Sequence, residues 1–397
     1  KRKRGNGKAP SRIVADRGVG SSVGVRGRQL QFIHIPKCAG TSVFHGLQSA
    51  LDWPTEYIPI PEFYEAGFQL EGTIQDPLAY ERRMAEFRQH FLLALLNRGI
   101  RLVGSHLSFS PRAYEIFADS CAFHTVLRDP EERLYSHLLF NARAEERRIA
   151  RSGGQPSLRV GDRLRRTIES PALELPSNKI RKNLGGLDYD GVYREEGSTE
   201  RAVAHLDLLE TIGFLDSLEE YAGAVERRYG TRPRFERENT AAHNRQTGEN
   251  LPAGWPEAWR DRLVACWADD AKVVAAARNP EGRRREQRRT FAAWLGAYGV
   301  GEEGPFFRAW WGEFRLGAAP WILHETYGWV RLLPTEDPSR FFPFTSPGRG
   351  DWRCHRNRPG ELECLGSGDF RPVLRNEKGF FEIHGPAGPG TFRPFRR

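Results

Sequence analysis

Several features are scarce or missing in this chain of 397 residues, and each absence excludes a class of protein. No apolar run approaches the ~20 residues of a membrane-spanning helix, so we expect no such helix here. The cysteines show neither C-x-x-C spacing nor the density of a disulfide-stapled domain, and we find no cluster of metal-ligand residues. The absence of any N-x-[ST] sequence argues against a glycosylated secretory protein.

The sparse sulfur-containing residues leave two alternatives open. The five cysteines are an odd number, and Cys354 and Cys364 would pair across a hairpin only in an oxidising compartment. The chain begins with Lys1 and has a single methionine, Met84. A removed N-terminal signal or membrane anchor therefore stays open as an alternative.

Positive charge is in excess, with 60 Lys and Arg against 51 Asp and Glu and a formal net charge of +9. A basic balance suits anionic partners such as nucleotide phosphates or acidic glycans, although charge alone does not separate these from nucleic acid or a membrane surface. Hydrophobic residues make up 39% of the chain, which predicts a substantial core.

The stretch from Leu30 to Ser42 reads LQFIHIPKCAGTS and predicts a strand, a tight turn and a helix start. Its first half alternates apolar and polar residues, and Pro36 ends the strand because proline cannot donate to a sheet. The first N–H groups of the helix predicted at 43–51 lack intrahelical partners and carry the positive end of its dipole, so this junction favours an anion. The simplest alternative is a strand-to-helix turn without a ligand.

The residue order of this stretch differs from the common nucleotide loop G-x-x-x-x-G-K-[ST], in which lysine directly precedes the hydroxyl residue. The order P-K-x-x-G-T-S resembles the 5′-phosphosulfate loop of sulfotransferases that use 3′-phosphoadenosine 5′-phosphosulfate (PAPS). HIPKCAGTS resembles in particular the carbohydrate branch, of the heparan sulfate 2-O-sulfotransferase type. The resemblance implies a 5′-phosphate site formed by Lys37, Cys38, Ala39, Gly40, Thr41 and Ser42. It also implies that Lys37 stabilises charge on the leaving oxygen.

A second motif, VLRDPEERLYSH, follows the strand predicted at 121–127 and resembles the 3′-phosphate motif R-D-P-x-x-R-x-x-S of the same family. Pro130 suits the first turn of a helix. The resemblance implies that Arg128 and Ser136 bind the 3′-phosphate, which distinguishes PAPS from ATP. Arg133 is predicted to be structural, tying its helix to neighbouring elements.

A histidine suited to act as a base follows the strand predicted at 100–104. The run VGSHL places His106 at a strand carboxyl end, where open α/β sheets have their ligand crevice. Its position between the two phosphate motifs resembles that of the family's histidine base, with an ordinary pKa of about 6.5 unless burial shifts it. Gly104 stands where the cytosolic branch has lysine, which favours the carbohydrate branch. One alternative is a histidine bonded to the backbone. Weaker base candidates are His34, His45 and His124.

Alternating strands and helices, together with the resemblance, imply a three-layer α/β, P-loop-like fold with a central parallel sheet. Residues 1–28 are predicted to be a disordered basic tail, 29–280 the sulfotransferase domain, and 281–397 an extension rich in Gly, Pro and aromatic residues that is either small and β-rich or poorly ordered. The charged segment 143–166 is predicted to be a mobile loop. Further helices are predicted at 78–97, 111–118, 217–229, 256–277 and 283–298. The resemblance implies a last core strand at 211–216.

The resemblance implies an enzyme, a PAPS-dependent O-sulfotransferase that moves a sulfuryl group to a hydroxyl of a carbohydrate acceptor and needs no metal. No nucleic-acid partner is expected. One alternative is a P-loop kinase or phosphotransferase, against which the position of Lys37 argues. The other is a non-catalytic glycan-binding protein, against which the joint presence of Lys37, His106 and Arg128 argues. A bacterial-type enzyme would be cytoplasmic, and one that has lost an N-terminal anchor would lie in the Golgi lumen.

Overall fold

The computed structural model describes residues 28–57, 76–151, 153, 158–236, 257–303, 306–346, 350–375, 381–385 and 388–392. The predicted basic tail, apart from Arg28, lies outside these described residues. Over the described ranges the chain forms two sheets, one parallel and one antiparallel.

The first sheet is parallel throughout and, within the described residues, has five strands in the order β2-β3-β1-β4-β5. Its strands are β1 (Gln29–Ile33), β2 (Thr55–Tyr57), β3 (Leu102–Ser105), β4 (Cys121–Leu127) and β5 (Thr211–Phe214). The predicted central parallel sheet is therefore confirmed, and β2 is an edge strand that the sequence pattern did not indicate.

Ten α-helices lie in the part of the chain that the structure describes. The helices predicted from periodicity are confirmed, with ends shifted by a few residues. Ser110 caps one of them, because its hydroxyl accepts a hydrogen bond from the N–H of Ala113 at 3.0 Å. Their bounds are α1 (Gly40–Leu51), α2 (Pro77–Asn97), α3 (Pro111–Phe117), α4 (Pro130–Arg151), α5 (Val160–Glu169), α6 (Lys179–Gly185), α7 (Ser198–His205), α8 (Leu218–Tyr229), α9 (Glu257–Arg278) and α10 (Pro280–Ala297).

Helices cover both faces of the parallel sheet, and this confirms the three-layer α/β fold. Strand β4 is buried along its whole length, and alternate residues point to opposite faces. On one face Val126 packs with apolar side chains of α1 and α8. On the other face Phe123 packs with side chains of α2, α3, α6, α7 and α9.

The mobile loop predicted at 143–166 is wrong for most of its length. Helix α4 continues to Arg151, and α5 follows at Val160–Glu169. Helix α5 buries Val160, Leu164 and Ile168, which recur every four residues and form one apolar face. This face packs with Leu138 of α4, so arginine-rich composition concealed two packed helices.

The β-rich alternative for the C-terminal region is confirmed by an antiparallel sheet that has eleven strands within the described ranges. Each strand pairs with the next one along the chain. Phe291 of α10 and Tyr298, which follows that helix, pack with the buried side chains of this sheet. The strands are β6 (Gly301–Glu303), β7 (Phe306–Ala309), β8 (Gly312–Leu316), β9 (Trp321–His324), β10 (Gly328–Leu332), β11 (Phe341–Ser346), β12 (Gly350–His355), β13 (Glu361–Cys364), β14 (Phe370–Arg375), β15 (Phe381–Gly385) and β16 (Gly388–Phe392).

The antiparallel sheet packs directly on the helical layer of the α/β core. Trp329 is fully buried there, and its indole N–H donates to the carbonyl of Pro111 at 2.9 Å. The N–H of Ala318 donates to the hydroxyl of Tyr189 at 2.6 Å, and Tyr189 packs against the rings of Trp321 and Trp329. Residues of this sheet therefore complete the core of the parallel-sheet region.

Cys354 and Cys364 do not form the disulfide that the sequence leaves open as an alternative, since both are free thiols. In the register of β12 and β13, Cys354 lies opposite Leu362 and Cys364 lies opposite Trp352, so the cysteines are offset by two positions. The Cys354 thiol instead donates to the hydroxyl of Tyr327 at 3.3 Å. Among the described helices, none has both the length and the apolar character needed to cross a membrane.

Candidate functional site

The parallel register brings the three sequence motifs to one edge of the first sheet. Ile33, the last residue of β1, pairs with Ser105 at the end of β3 and with Thr125 near the end of β4. The loop that contains Lys37, the segment that contains His106 and the turn that contains Arg128 therefore leave three adjacent strands on the same side. This carboxyl edge is where open α/β sheets bind ligands.

The loop between β1 and α1 has a strained backbone that exposes helix N–H groups. Lys37 and Ala39 adopt left-handed conformations, with φ of 69° and 58°, although neither is glycine. Such conformations cost roughly 1–2 kcal/mol per residue, and turns of this kind form concave N–H arrays that bind anions. Ala39 is the N-cap of α1 and supplies no side-chain hydrogen bond, and the first turn of α1 contains no acidic residue. The helix N-terminus therefore keeps its positive potential and its donors.

The remaining loop residues differ in what they offer to a ligand. Gly40 is buried, Thr41 is exposed and Ser42 is half-buried in the first turn of α1. The Cys38 thiol is buried in the core, and burial raises its pKa to about 12. The N–H of Cys38 donates to the carbonyl of Ile35 at 3.2 Å, so this residue shapes the turn.

The Lys37 side chain extends from the loop toward helix α4. Its Nζ lies 3.2 Å from the ring centroid of Phe140, an exposed side chain. Burial, together with the positive charges of Arg147 and Arg128, lowers the pKa of Lys37 to about 8. A bound anion would favour the charged ammonium, so the loop and the helix together form a site for negative charge.

Arg128 follows β4 and its guanidinium is partly exposed. Nε and Nη2 donate to Oε2 of Glu132, each at 3.2 Å, and Nη1 donates to the carbonyl of Lys37 at 3.4 Å. Glu132 is 65% exposed, and such surface ion pairs contribute only about 0–1 kcal/mol, so a phosphate can replace this carboxylate. Ser136 lies on α4, half-buried, and Arg128 immediately precedes that helix.

His106 is held by the backbone of β1. Its Nδ1 donates to the carbonyl of His34 at 2.9 Å, so Nδ1 carries the proton and Nε2 keeps a lone pair. Burial lowers the pKa of His106 to about 4, against the raising effect of that hydrogen bond. The alternative of a histidine bonded to the backbone therefore holds for Nδ1. Nε2 keeps its lone pair and is available as a base. The ordinary pKa of about 6.5 therefore does not apply to His106, because burial shifts it.

Gly104 has a packing reason to lack a side chain. A Cβ placed there would lie 2.2 Å from the ring of Phe44 on α1. A lysine at this position, as in the cytosolic branch, would collide with that ring unless α1 moved. Two of the three weaker base candidates lie elsewhere: His45 is exposed on α1, and His124 is buried between Tyr221 and Glu210. The third, His34, lies at the site with its ring stacked on that of His106.

The chain has a structural likeness to a sulfotransferase from Alicyclobacillus acidocaldarius. The two are 18% identical, the comparison covers 63% of this chain and 96% of that chain, and the TM-score is 0.30. No protein-family model and no curated protein matches the sequence. A likeness of this strength assigns no activity, so function has to be argued from the residues of the site.

The site contains residues that the sequence pattern did not indicate. Phe140 and Arg147 lie on the part of α4 that borders Lys37, and their i, i+7 spacing on a helix was the only signal. Arg88 of α2 donates from Nη1 to the carbonyl of His106 at 3.3 Å. Lys179 of α6 pairs with Glu81 at 2.6 Å, and its positive charge contributes to lowering the pKa of His106.

Cations and histidines predominate at this edge of the sheet. Within the described ranges no group of three or more His, Cys, Asp or Glu side chains is arranged to hold a metal ion. Arg133 is fully buried under the site and pairs with Asp270 of α9, which agrees with its predicted structural role.

Proposed function

We propose that this protein is a PAPS-dependent sulfotransferase that transfers a sulfuryl group to a hydroxyl of a carbohydrate acceptor. The observation that carries the proposal is the convergence of three sites at adjacent strand ends: the anion loop after β1, the histidine after β3 and the arginine after β4. A kinase that uses ATP needs no site for a 3′-phosphate. Two anion sites with a neutral histidine nearby suit a donor that carries both a 5′-phosphosulfate and a 3′-phosphate.

In the proposed complex, the N–H groups at the start of α1, with Thr41 and Ser42, hold the 5′-phosphate. The Arg128 guanidinium exchanges Glu132 for the 3′-phosphate, and a planar donor fork suits phosphate oxygens. The negative charge of the donor raises the pKa of Lys37 from about 8, so Lys37 is protonated when the donor is bound.

In the transfer step the acceptor oxygen attacks sulfur, and the bond between sulfur and the bridging phosphate oxygen breaks. The leaving group departs as adenosine 3′,5′-bisphosphate (PAP) with that electron pair. The Lys37 ammonium stabilises the negative charge that grows on the bridging oxygen. Nε2 of His106 takes the proton of the acceptor hydroxyl, because Nδ1 already carries a proton bonded to His34.

The nucleotide preference gives a first test of this function. PAP is expected to raise the melting temperature, and ~100-fold excess over its Kd would stabilise the protein by about 2.7 kcal/mol. AMP differs from PAP only in lacking the 3′-phosphate, and ATP carries its extra phosphates on the 5′ side. Because neither has a 3′-phosphate, both are expected to raise the melting temperature much less than PAP does. Differential scanning fluorimetry with the three nucleotides at equal concentration measures the difference.

The variant Arg128→Ala tests the 3′-phosphate contact directly. It should remove most of the difference between PAP and AMP in the rise of the melting temperature. A charge-assisted hydrogen bond contributes roughly 1.5–3 kcal/mol. The matched control is Arg227→Ala, which removes an exposed arginine of α8. This variant should keep the wild-type difference in melting temperature between PAP and AMP. Equal stabilisation of the wild type by ATP and PAP would favour the phosphotransferase alternative.

The acceptor class is tested by incubating the protein with PAPS labelled in its sulfuryl group and separate sets of glycans, phenols and lipids. Transfer of label to the glycans is expected. Labelling of phenols alone would contradict the carbohydrate assignment. Glycan binding in calorimetry without transfer of label to any acceptor would favour the non-catalytic alternative.

A further inference from the structure

We infer that His34 is a positioning residue that fixes the orientation of His106 and holds it against the phosphate loop. The inference rests on the proposed function, because it assigns His34 a role in the same site. His34 follows the last residue of β1, so it lies between the end of the sheet and the anion loop.

The first observation is that the backbone of His34 fixes its own position and that of His106. Its N–H donates to the carbonyl of Ser105 at 3.1 Å, which continues the pairing of β1 with β3. Its carbonyl accepts from Nδ1 of His106 at 2.9 Å. The same residue therefore ties β3 to β1 and selects the tautomer of the base.

The second observation is that the His34 ring fills the space between the base and the loop. It stacks on the His106 ring with centroids 4.0 Å apart and planes inclined by 30°. A Cβ added at Gly40, the first residue of α1, would lie 1.8 Å from Cδ2 of this ring. Nδ1 of His34 is 2.9 Å from the hydroxyl of Tyr57 on β2, and the side chain is 4% exposed. One buried imidazole thus contacts the loop, the base and the edge strand.

Removing this ring would change the surroundings of His106. Burial is the main cause of its low pKa, and the stacked imidazole covers one of its faces. Water that enters in place of the ring would raise the pKa from about 4 toward its ordinary value. The other charged and titratable groups that act on His106 are Arg88 of α2, Lys37 of the loop, His137 of α4 and Lys179 of α6 with its partner Glu81. Tyr57 of β2 faces the ring of His34.

The test compares three variants, His34→Ala, His34→Phe and Tyr57→Phe. The pKa of His106 is measured in each by NMR titration of its imidazole, which needs no enzymatic activity. We expect His34→Ala to raise this pKa and to lower turnover by about 10²-fold, since a displacement of about 1 Å has an effect of that size. His34→Phe keeps a buried ring stacked on His106, so its His106 pKa and its turnover should both stay close to the wild-type values. Tyr57→Phe removes only a hydrogen bond to the ring and should leave the pKa unchanged.

A folded His34→Ala variant in which His106 titrates as in the wild type would overturn the inference. If that variant does not fold, His34→Leu retains the buried volume without a ring to stack. Turnover well below that of His34→Phe then supports the inference, and equal turnover of the two variants refutes it. A wild-type protein without sulfuryl transfer would refute the proposed function, whereas the NMR titration would still decide how His34 acts on His106.

Discussion

Replacing His106 by alanine is expected to lower turnover by about 10²–10⁴-fold and to leave PAP affinity unchanged. In the proposed complex the imidazole presents Nε2 to the acceptor hydroxyl, whereas the donor phosphates lie at the start of α1 and at Arg128. The substitution therefore removes proton transfer and none of the proposed donor contacts. Turnover is measured with the best acceptor from the labelling screen, and PAP affinity by calorimetry.

The matched control for this variant is His45→Ala, which deletes the same side chain from an exposed position on α1. It should keep wild-type turnover, and far-ultraviolet circular dichroism verifies that both variants fold. A His106→Ala enzyme that retains more than about a tenth of wild-type turnover would reject this residue as the base.

The pH profile separates the roles of His106 and Lys37. Burial disfavours the imidazolium and lowers the pKa of His106 to about 4, so its imidazole is neutral above that pH. Bound PAPS brings negative charge, which raises that pKa, so at saturating PAPS the acidic limb of kcat/KM for the acceptor lies above this pH. Activity falls as the pH drops through the limb, since protonation removes the lone pair of Nε2. Lys37→Ala should lower turnover but keep the acidic limb of the pH profile, because that limb comes from His106.

The motif-bearing segments were predictable because each combines strong local signals. Strand β4, CAFHTVL, is mostly apolar and rich in residues that favour strands, and Pro130 follows where a helix starts. Gly99, with φ of 78°, follows the end of helix α2, because only glycine adopts that conformation without strain. The parallel order of these strands then places their carboxyl ends at one edge, so the approximate location of the site follows from the sequence.

The C-terminal half of α4 and helix α5 were missed for a different reason. The run NARAEERRIAR has few apolar residues, so charge and the following pair of glycines suggested a loop. Its packing partner is helix α5. The apolar residues of α5 recur every fourth position over only ten residues, and arginines stand between them, so the pattern is weak. Because α4 was predicted to end early, Arg147 and its effect on the pKa of Lys37 were missed as well.

Contacts through the backbone and across the sheet leave no local signal in the sequence. The hydrogen bond from His106 to the carbonyl of His34 depends on the register of β1 and β3, which side-chain patterns do not specify. Strand β2 has only three residues and lies at the edge of the sheet, so its Tyr57 reaches His34 without any periodic pattern that would predict it.

The second large effect concerns the buried ion pair beneath the site. Arg133 of α4 and Asp270 of α9 are both fully buried, with Nε 3.5 Å from Oδ2. Arg133 also donates from Nη2 to the carbonyl of Pro176 at 2.6 Å, and Asp270 accepts from the N–H of Arg181 at 2.7 Å. These contacts join α4, which contains Ser136, to α6 and α9, so they position the proposed 3′-phosphate site.

Asp270→Ala is expected to lower the free energy of unfolding by about 3–5 kcal/mol, because it leaves the Arg133 guanidinium buried without its counter-charge. The double variant Arg133→Met/Asp270→Leu removes both charges and should be considerably more stable than Asp270→Ala. Glu169→Ala breaks the exposed pair with Arg165 and should cost only about 0–1 kcal/mol. Urea denaturation at neutral pH measures all three variants. If Asp270→Ala were no less stable than Glu169→Ala, the buried pair would not be what holds α4 against α9.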